Sequence, residues 1–345
     1  MRVLRLHRPL DLRFHDEPVP EIAPGEVLIR VASVGVCASD VHYYRQGGIG
    51  DQVIKTPHVL GHEFSGTVVK VANEVKTLAE GARVAVEPGK ACKQCSACRE
   101  GYPNLCLNVV FFGTPPHDGV LKEYVAWPAE LCAQISERTS FDEAAMIEPM
   151  AVGVYAVDLA EMAGGETVAI FGAGAIGLSV LQAARVVGVG KVVVSEPIPE
   201  RRELAMTLGA DVAIDSARTD CTAAILDETS GGAEVVFECA GMPESTWQTI
   251  EVTRPRGRVV VAGIPEVDQY CFPGSLSRRR EVNIQLVRRS RNTSERSLEM
   301  VERGLVNVAA YATHHSAFDR SEDAFKLADQ KTDGVLRALI RVSED

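Results

Sequence analysis

Hydrophobic and polar positions follow two different rhythms along the chain. Up to about residue 150, short β-rich runs (27–34, 66–71, 82–86, 122–126) alternate with turns marked by Gly and Pro. That punctuation predicts a compact, mostly antiparallel domain over residues 1–150. Beyond Gly164 the rhythm becomes strand, helix, strand. Residues 167–171 form an apolar run fit for a buried strand, 175–187 read as a helix, and 191–194 as the next strand. Further strands are expected at 235–239 and 259–262, with helices near 202–208 and 244–252. Buried strands alternating with helices predict a parallel, doubly wound sheet, which makes the chain α/β. The C-terminal residues carry a strand-like 282–287 and a helical 295–303, and the pattern leaves their place in the fold open.

Composition narrows the function classes. A chain of 345 residues divides into about two domains at ~150 residues each. Hydrophobic residues at 46% and charged residues at 24% are ordinary for a soluble protein with its own core. The net charge of -11 repels phosphate backbones, so nucleic acid is excluded as a partner. No run approaches the ~20 apolar residues of a membrane span. The first residues, Met1 to Arg5, lack the apolar core of a secretory signal. Nine cysteines, an odd number, argue against a secreted disulfide framework. A cytoplasmic protein with reduced thiols is expected, where clustered cysteines bind metal.

Gly172, Gly174 and Gly177, with Ala175 and Ile176 between them, form a G-x-G-x-x-G segment. It follows an apolar strand and opens a helix, and Glu196 stands at the end of the next strand, 19 positions after Gly177. Gly172 permits the tight turn, Gly174 lets the backbone approach a pyrophosphate, and Gly177 lets helix and strand pack closely. The helix N-terminus offers free N–H groups to the phosphates. Glu196 suits the adenosine ribose hydroxyls and repels a 2'-phosphate, which favours NAD. Arg201 and Arg202 lie close enough in sequence to attract that phosphate and keep NADP in view.

Four of the nine cysteines, Cys92, Cys95, Cys98 and Cys106, crowd into a C-x2-C-x2-C-x7-C segment. Four thiolates at such spacing suit a closed tetrahedral zinc site of structural type, in a lobe over residues 88–108. An iron–sulfur cluster and a metal-free loop are the competing readings. Cys37, His62, Glu63 and Glu148 are also competent zinc ligands, but spacing alone does not link them.

Longer segments supply the link. The runs Cys37 to Tyr44, Leu60-Gly61-His62-Glu63, Glu87-Pro88-Gly89, Thr114 to Gly119 and Ile147-Glu148-Pro149 resemble the zinc-containing medium-chain dehydrogenases, and among them the sorbitol (polyol) dehydrogenases. The resemblance covers essentially the whole chain. It implies a GroES-like catalytic domain over 1–150, completed by 286–345, and a Rossmann domain over 151–285. It further implies a catalytic zinc held by Cys37, His62 and Glu63, with Glu148 completing the site directly or through water. Ser39 and His42 match positions that relay the substrate proton. Tyr43, Phe111, Thr114 and Arg289 match substrate-contacting positions, and Ser290 stands where the family often has tyrosine. Two zinc ions per chain, NAD, a polyol substrate and a homodimer or homotetramer follow from the same resemblance.

Six arginines between Arg278 and Arg291 could instead favour a sugar acid, although all but Arg289 read more simply as a solvated or interface run. A non-catalytic nucleotide-binding protein is the remote alternative. It would be expected to lose the zinc ligands, and all of them are here.

Overall fold

The computed structural model describes residues 1–343, which form two compact units. The first holds Met1–Glu148, Ser294–Arg303 and residues 308–343; the second holds Pro149–Thr293 and Gly304–Asn307.

The first unit is built on a seven-stranded sheet. Its order is Cys132–Gln134, Arg83–Val86, Glu63–Val71, Glu26–Gly35, Arg337–Arg341, Ala312–Ala317, and Tyr124–Pro128 also pairs with Glu26–Gly35. Every pairing is antiparallel except the last along that order, Arg337–Arg341 with Ala312–Ala317. Glu26–Gly35 is central, and its β-branched residues Val27, Ile29, Val31 and Val34 are fully buried. The chain's tail returns to this sheet, with Leu339 opposite Gly35 and Ile340 opposite Val34. This seam carries a residue from position 337 to the floor of the site described below.

The second unit is a six-stranded, wholly parallel sheet ordered Val212–Asp215, Val192–Glu196, Val168–Phe171, Ala233–Glu238, Thr253–Val261, Asn283–Leu286. Helices cover such sheets on both faces, which is why Val168, Ala169 and Ile170 are all fully buried and the strand reads as a continuous apolar run. The helix Ala175–Val187 starts at the glycine loop and stops at Gly188, which takes the left-handed conformation (φ 87°) that only glycine adopts readily.

Residues 149–150, 286–293 and 304–307, expected with the first domain, fall in the second instead. Asn283–Leu286 lies at the edge of the parallel sheet, and Thr293 donates its hydroxyl to the Ala151 carbonyl at 2.7 Å. Among the described residues, no helix is long and apolar enough to cross a membrane.

Candidate active site and metal centres

Cys37, His62 and Glu63 meet in the first unit. Their ligand atoms lie within 4.8 Å of one another, although the residues come from different elements. Cys37 caps the helix Ala38–Gln46, while Glu63 begins the strand Glu63–Val71. Glu63 is fully buried, yet neither of its carboxylate oxygens receives a hydrogen bond. Arg337 Nη2 approaches Oε1 to 3.0 Å, close enough to pair the charges but without hydrogen-bond alignment. A buried carboxylate left this way is costly unless a cation meets it, and a thiol and an imidazole stand beside it to share that cation. The donor set fits zinc.

Two residues not singled out in the sequence support the cluster. Asp40, 1% exposed, accepts from the backbone N–H of Gly61 (2.9 Å) and of Cys37 (3.0 Å), and its Oδ1 lies 3.6 Å from His62 Nδ1. Burial opposes the Asp40 charge, but His62 and the two N–H groups outweigh it and hold the carboxyl below its usual range. Arg337, 5% exposed, donates to the Val36 carbonyl at 3.0 Å, which fixes it under Glu63. Local spacing gave no signal for Arg337, because its partners lie some 300 residues away along the chain.

Glu148 is not among the donors that meet at this cluster. It lies in the first turn of the helix Ile147–Leu159 and keeps part of its surface exposed. The protein packed around it pushes its carboxyl up to about 7. Ser39 and His42, three apart on the helix Ala38–Gln46, share one face and are both half-buried. The Phe111 ring packs 5.5 Å from the His62 ring, and Thr114 closes the turn after it. Tyr43 is 2% exposed and donates its hydroxyl to Gln52 at 3.3 Å. Arg289 belongs to the second unit, with left-handed backbone (φ 57°), and Ser290 beside it is buried. Of the arginine run, Arg280 is structural: it donates to the carbonyls of Ile250, Glu251 and Thr253.

Cys92, Cys95, Cys98 and Cys106 form the other donor cluster. Cys95 Sγ and Cys106 Sγ are 3.9 Å apart. Sulfurs ~2.3 Å from one central zinc stand about 3.8 Å from each other, so the spacing fits a single tetrahedral ion. It is too long for a disulfide and tighter than thiolates spread over several irons require. The N–H groups of Gln94 and Cys95 bring the Cys92 thiol down to about 6. Desolvation and the neighbouring thiols push Cys98 the other way. Such a group ionises fully only around a cation. From 89 to 108 only Asn104 and Cys106 are buried, so the lobe lacks an apolar core of its own.

The glycine loop of the second unit has the form a dinucleotide needs. Gly172 has φ 94°, and a Cβ on Gly177 would collide with the Gly172 carbonyl. Nothing stands within 4 Å of where a Gly174 Cβ would be, at the N-terminus of the helix carrying Ala175 and Ile176. That open cradle before free N–H groups fits a pyrophosphate. Glu196 is buried and accepts from Ala173 N–H (2.8 Å) and Ile198 N–H (3.0 Å). Arg201 and Arg202 lie on the helix Pro199–Thr207, and Arg202 is committed to Asp215 at 3.0 Å.

A sheet unit with a three-donor metal cluster, a four-thiol lobe and a Rossmann unit together define a zinc-binding, nucleotide-using oxidoreductase. Residues 23–137 match the alcohol dehydrogenase GroES-like domain and residues 175–303 match the zinc-binding dehydrogenase family. The chain is 33% identical to a sorbitol dehydrogenase of Bacillus subtilis, over 99% of this chain and 97% of that protein. It is 35% identical to an L-idonate 5-dehydrogenase of Vitis vinifera, over 89% and 86%. It superposes with a TM-score of 0.95 on an Escherichia coli oxidoreductase/dehydrogenase of unknown specificity, 30% identical, covering 99% of each chain. The chain belongs to the sorbitol dehydrogenase family of the zinc-containing medium-chain dehydrogenases.

Proposed function

We propose that this chain moves a hydride between NAD and a secondary hydroxyl of a sugar alcohol of the sorbitol or xylitol kind. The observation that carries the reading is the Cys37–His62–Glu63 cluster. Three protein donors leave a four-coordinate ion one position for a substrate oxygen, as in catalytic rather than structural sites. Bound zinc supplies Lewis acidity that eases loss of a hydroxyl proton, and bound NAD supplies the hydride acceptor.

The chain's own residues do the remaining work. Cys37 and Glu63 bring the negative charges that balance a dication, and Asp40 fixes the His62 ring. Ser39 passes the substrate proton to His42, one helical turn on, and so toward solvent. Glu148, which is not one of the three meeting donors, completes the site through a bound water. Phe111, Tyr43 and Thr114 shape the pocket, and Arg289 is a substrate residue on family resemblance alone. For the cofactor, each Glu196 oxygen accepts one backbone N–H and keeps a lone pair for a ribose hydroxyl. Its charge opposes a 2'-phosphate, while Arg202 is already paired. The second zinc clamps the Cys92–Cys106 lobe. A reducing, cytoplasmic setting keeps the proposed zinc-ligand thiols available, and a homodimer or homotetramer is the expected assembly.

The test is a panel of four- to six-carbon polyols and L-idonate with NAD and NADP, read by absorbance of the reduced cofactor, alongside a zinc count. Two zinc ions per chain and preferred turnover of a polyol with NAD are expected. Faster turnover of the acid would move the substrate to sugar acids. No turnover of any polyol or acid by the zinc-loaded protein would overturn the reading.

A further inference from the structure

We propose that Glu238 is a positioning residue of the dinucleotide site, whose carboxylate holds the 239–242 loop as the wall opposite the glycine loop. The inference rests on the dinucleotide reading above and adds a residue to which that reading gives no role. The strand order places Val168–Phe171 beside Ala233–Glu238, with the other strands continuing outward on either side. In such sheets the ligand crevice opens at the carboxyl ends of the two strands where the winding reverses. One lip is the glycine loop. The other is the segment after Glu238, and the two touch: a Cβ on Gly172 would meet Ala240 N at 3.0 Å and Cys239 C at 3.1 Å.

Glu238 ends its strand fully buried. Its Oε1 accepts three hydrogen bonds, from Ala240 N–H (2.9 Å), Gly241 N–H (2.8 Å) and Ser245 Oγ (2.6 Å). One oxygen thus fixes two consecutive backbone groups of the loop and the first turn of the helix Pro243–Val252. The main-chain carbonyl of Glu238 accepts from Ala262 (2.8 Å) and Gly263 (3.0 Å), which brings in the next loop as well. Oε2 has no hydrogen-bond partner, and it occupies the space a Gly263 side chain would need. Ala240 and Met242 stay exposed on the loop so held.

Simply ending a strand does not require a carboxyl group, and burying one with an unpaired oxygen is unfavourable. What the group achieves is a fixed path for loop 239–242 against Gly172. Three donors converging on one buried oxygen hold the backbone from 240 to 245 in one arrangement. An amide of the same shape keeps one oxygen to accept these hydrogen bonds, so Glu238→Gln is the conservative replacement.

The experiment measures NAD dissociation constants by calorimetry on the zinc-loaded full chain, for wild type, Glu238→Gln, Glu238→Ala and Ser245→Ala, with zinc content and melting temperature in parallel. Glu238→Gln keeps an accepting oxygen and is expected to stay within about threefold of wild type. Glu238→Ala leaves the Ala240 and Gly241 N–H groups without their acceptor, Ser245 Oγ keeping the Met242 carbonyl, and is expected to weaken NAD binding by about tenfold or more, and Ser245→Ala by about threefold. Zinc content is expected to stay at the wild-type level. A purely structural role would lower the melting temperature and leave the dissociation constant unmoved; that result in a folded Glu238→Ala protein overturns the inference. If this variant does not fold, Ser245→Ala decides, and unchanged NAD affinity there overturns it equally. A wild type that binds neither NAD nor NADP removes the dinucleotide reading itself, and this inference with it.

Discussion

Arg337 Nη2 stands 3.0 Å from Glu63 Oε1, and both side chains are buried. The guanidinium is therefore the counter-charge that the chain itself supplies to Glu63, one of the proposed zinc ligands. In the metal-free protein, removing one partner of a buried pair leaves the other unpaired and typically costs about 3–5 kcal/mol. Arg337→Ala is expected to lower unfolding free energy by that order and to cut turnover more than tenfold. Arg337→Lys keeps the charge but not the planar fork that also reaches the Val36 carbonyl, and is expected to fall between. Urea unfolding followed by fluorescence, with steady-state rates on the same samples, measures both. Wild-type values for Arg337→Ala would mean the pair is idle.

In the proposed zinc site, Asp40 acts through His62. A carboxylate behind a ligating histidine fixes the ring, and losing it commonly costs 10–100-fold in metal affinity or activity. Asp40→Asn keeps the size and gives up the charge facing His62 Nδ1. Competition with a chelator of known zinc affinity is expected to show weaker binding of one zinc by ~10-fold or more, with NAD affinity unchanged. Equal zinc retention in variant and wild type would count against the orienting role.

What the sequence made visible follows from how local each signal is. The helix at 175–187 was legible to the residue, because the glycine loop starts it and Gly188 stops it. The four-thiol lobe was equally plain, being contained in residues 92–106. The strand Thr253–Val261 was expected only from 259, because Arg254-Pro255-Arg256-Gly257 looks like a turn; its pairing with Ala233–Glu238 overrides that, with a register shift. Cys37, His62 and Glu63 are brought together by tertiary packing, so only resemblance to a family linked them. Arg337 and Asp40 escaped notice because neither residue type nor spacing marks them. Arg337 becomes meaningful only when the tail strand pairs with Glu26–Gly35.

The four-cysteine lobe should depend on its metal far more than the rest of its unit does. With only Asn104 and Cys106 buried between 89 and 108, little else holds it. Cys98→Ser is expected to reduce bound zinc from two ions to one and to open this segment to proteases, while nucleotide binding by the second unit persists. Limited proteolysis with fragment masses, beside a zinc count, reads both effects. Two zinc ions in the variant would remove the structural site from this lobe.

Asp142 joins three parts of the first unit. Ser33 Oγ donates to it at 2.7 Å and Arg341 Nη2 at 2.8 Å, and His315 Nε2 lies 2.9 Å away. Partial burial opposes its charge, but the Arg341 and Ser33 hydrogen bonds outweigh that and hold the carboxyl below its ordinary range. A folded-state pKa below the unfolded value of ~3.9 stabilises the fold at pH above it, and that contribution fades as pH falls through the lower, folded value. Because Arg341 is more than half exposed, solvent screening limits the effect to about 1 kcal/mol. Asp142→Asn is therefore expected to melt a few degrees below wild type at neutral pH, and the gap is expected to close on acidification below pH ~4. Melting curves of both proteins in matched buffers measure it. A gap that persists unchanged into acid would assign the loss to packing rather than to the charge of Asp142.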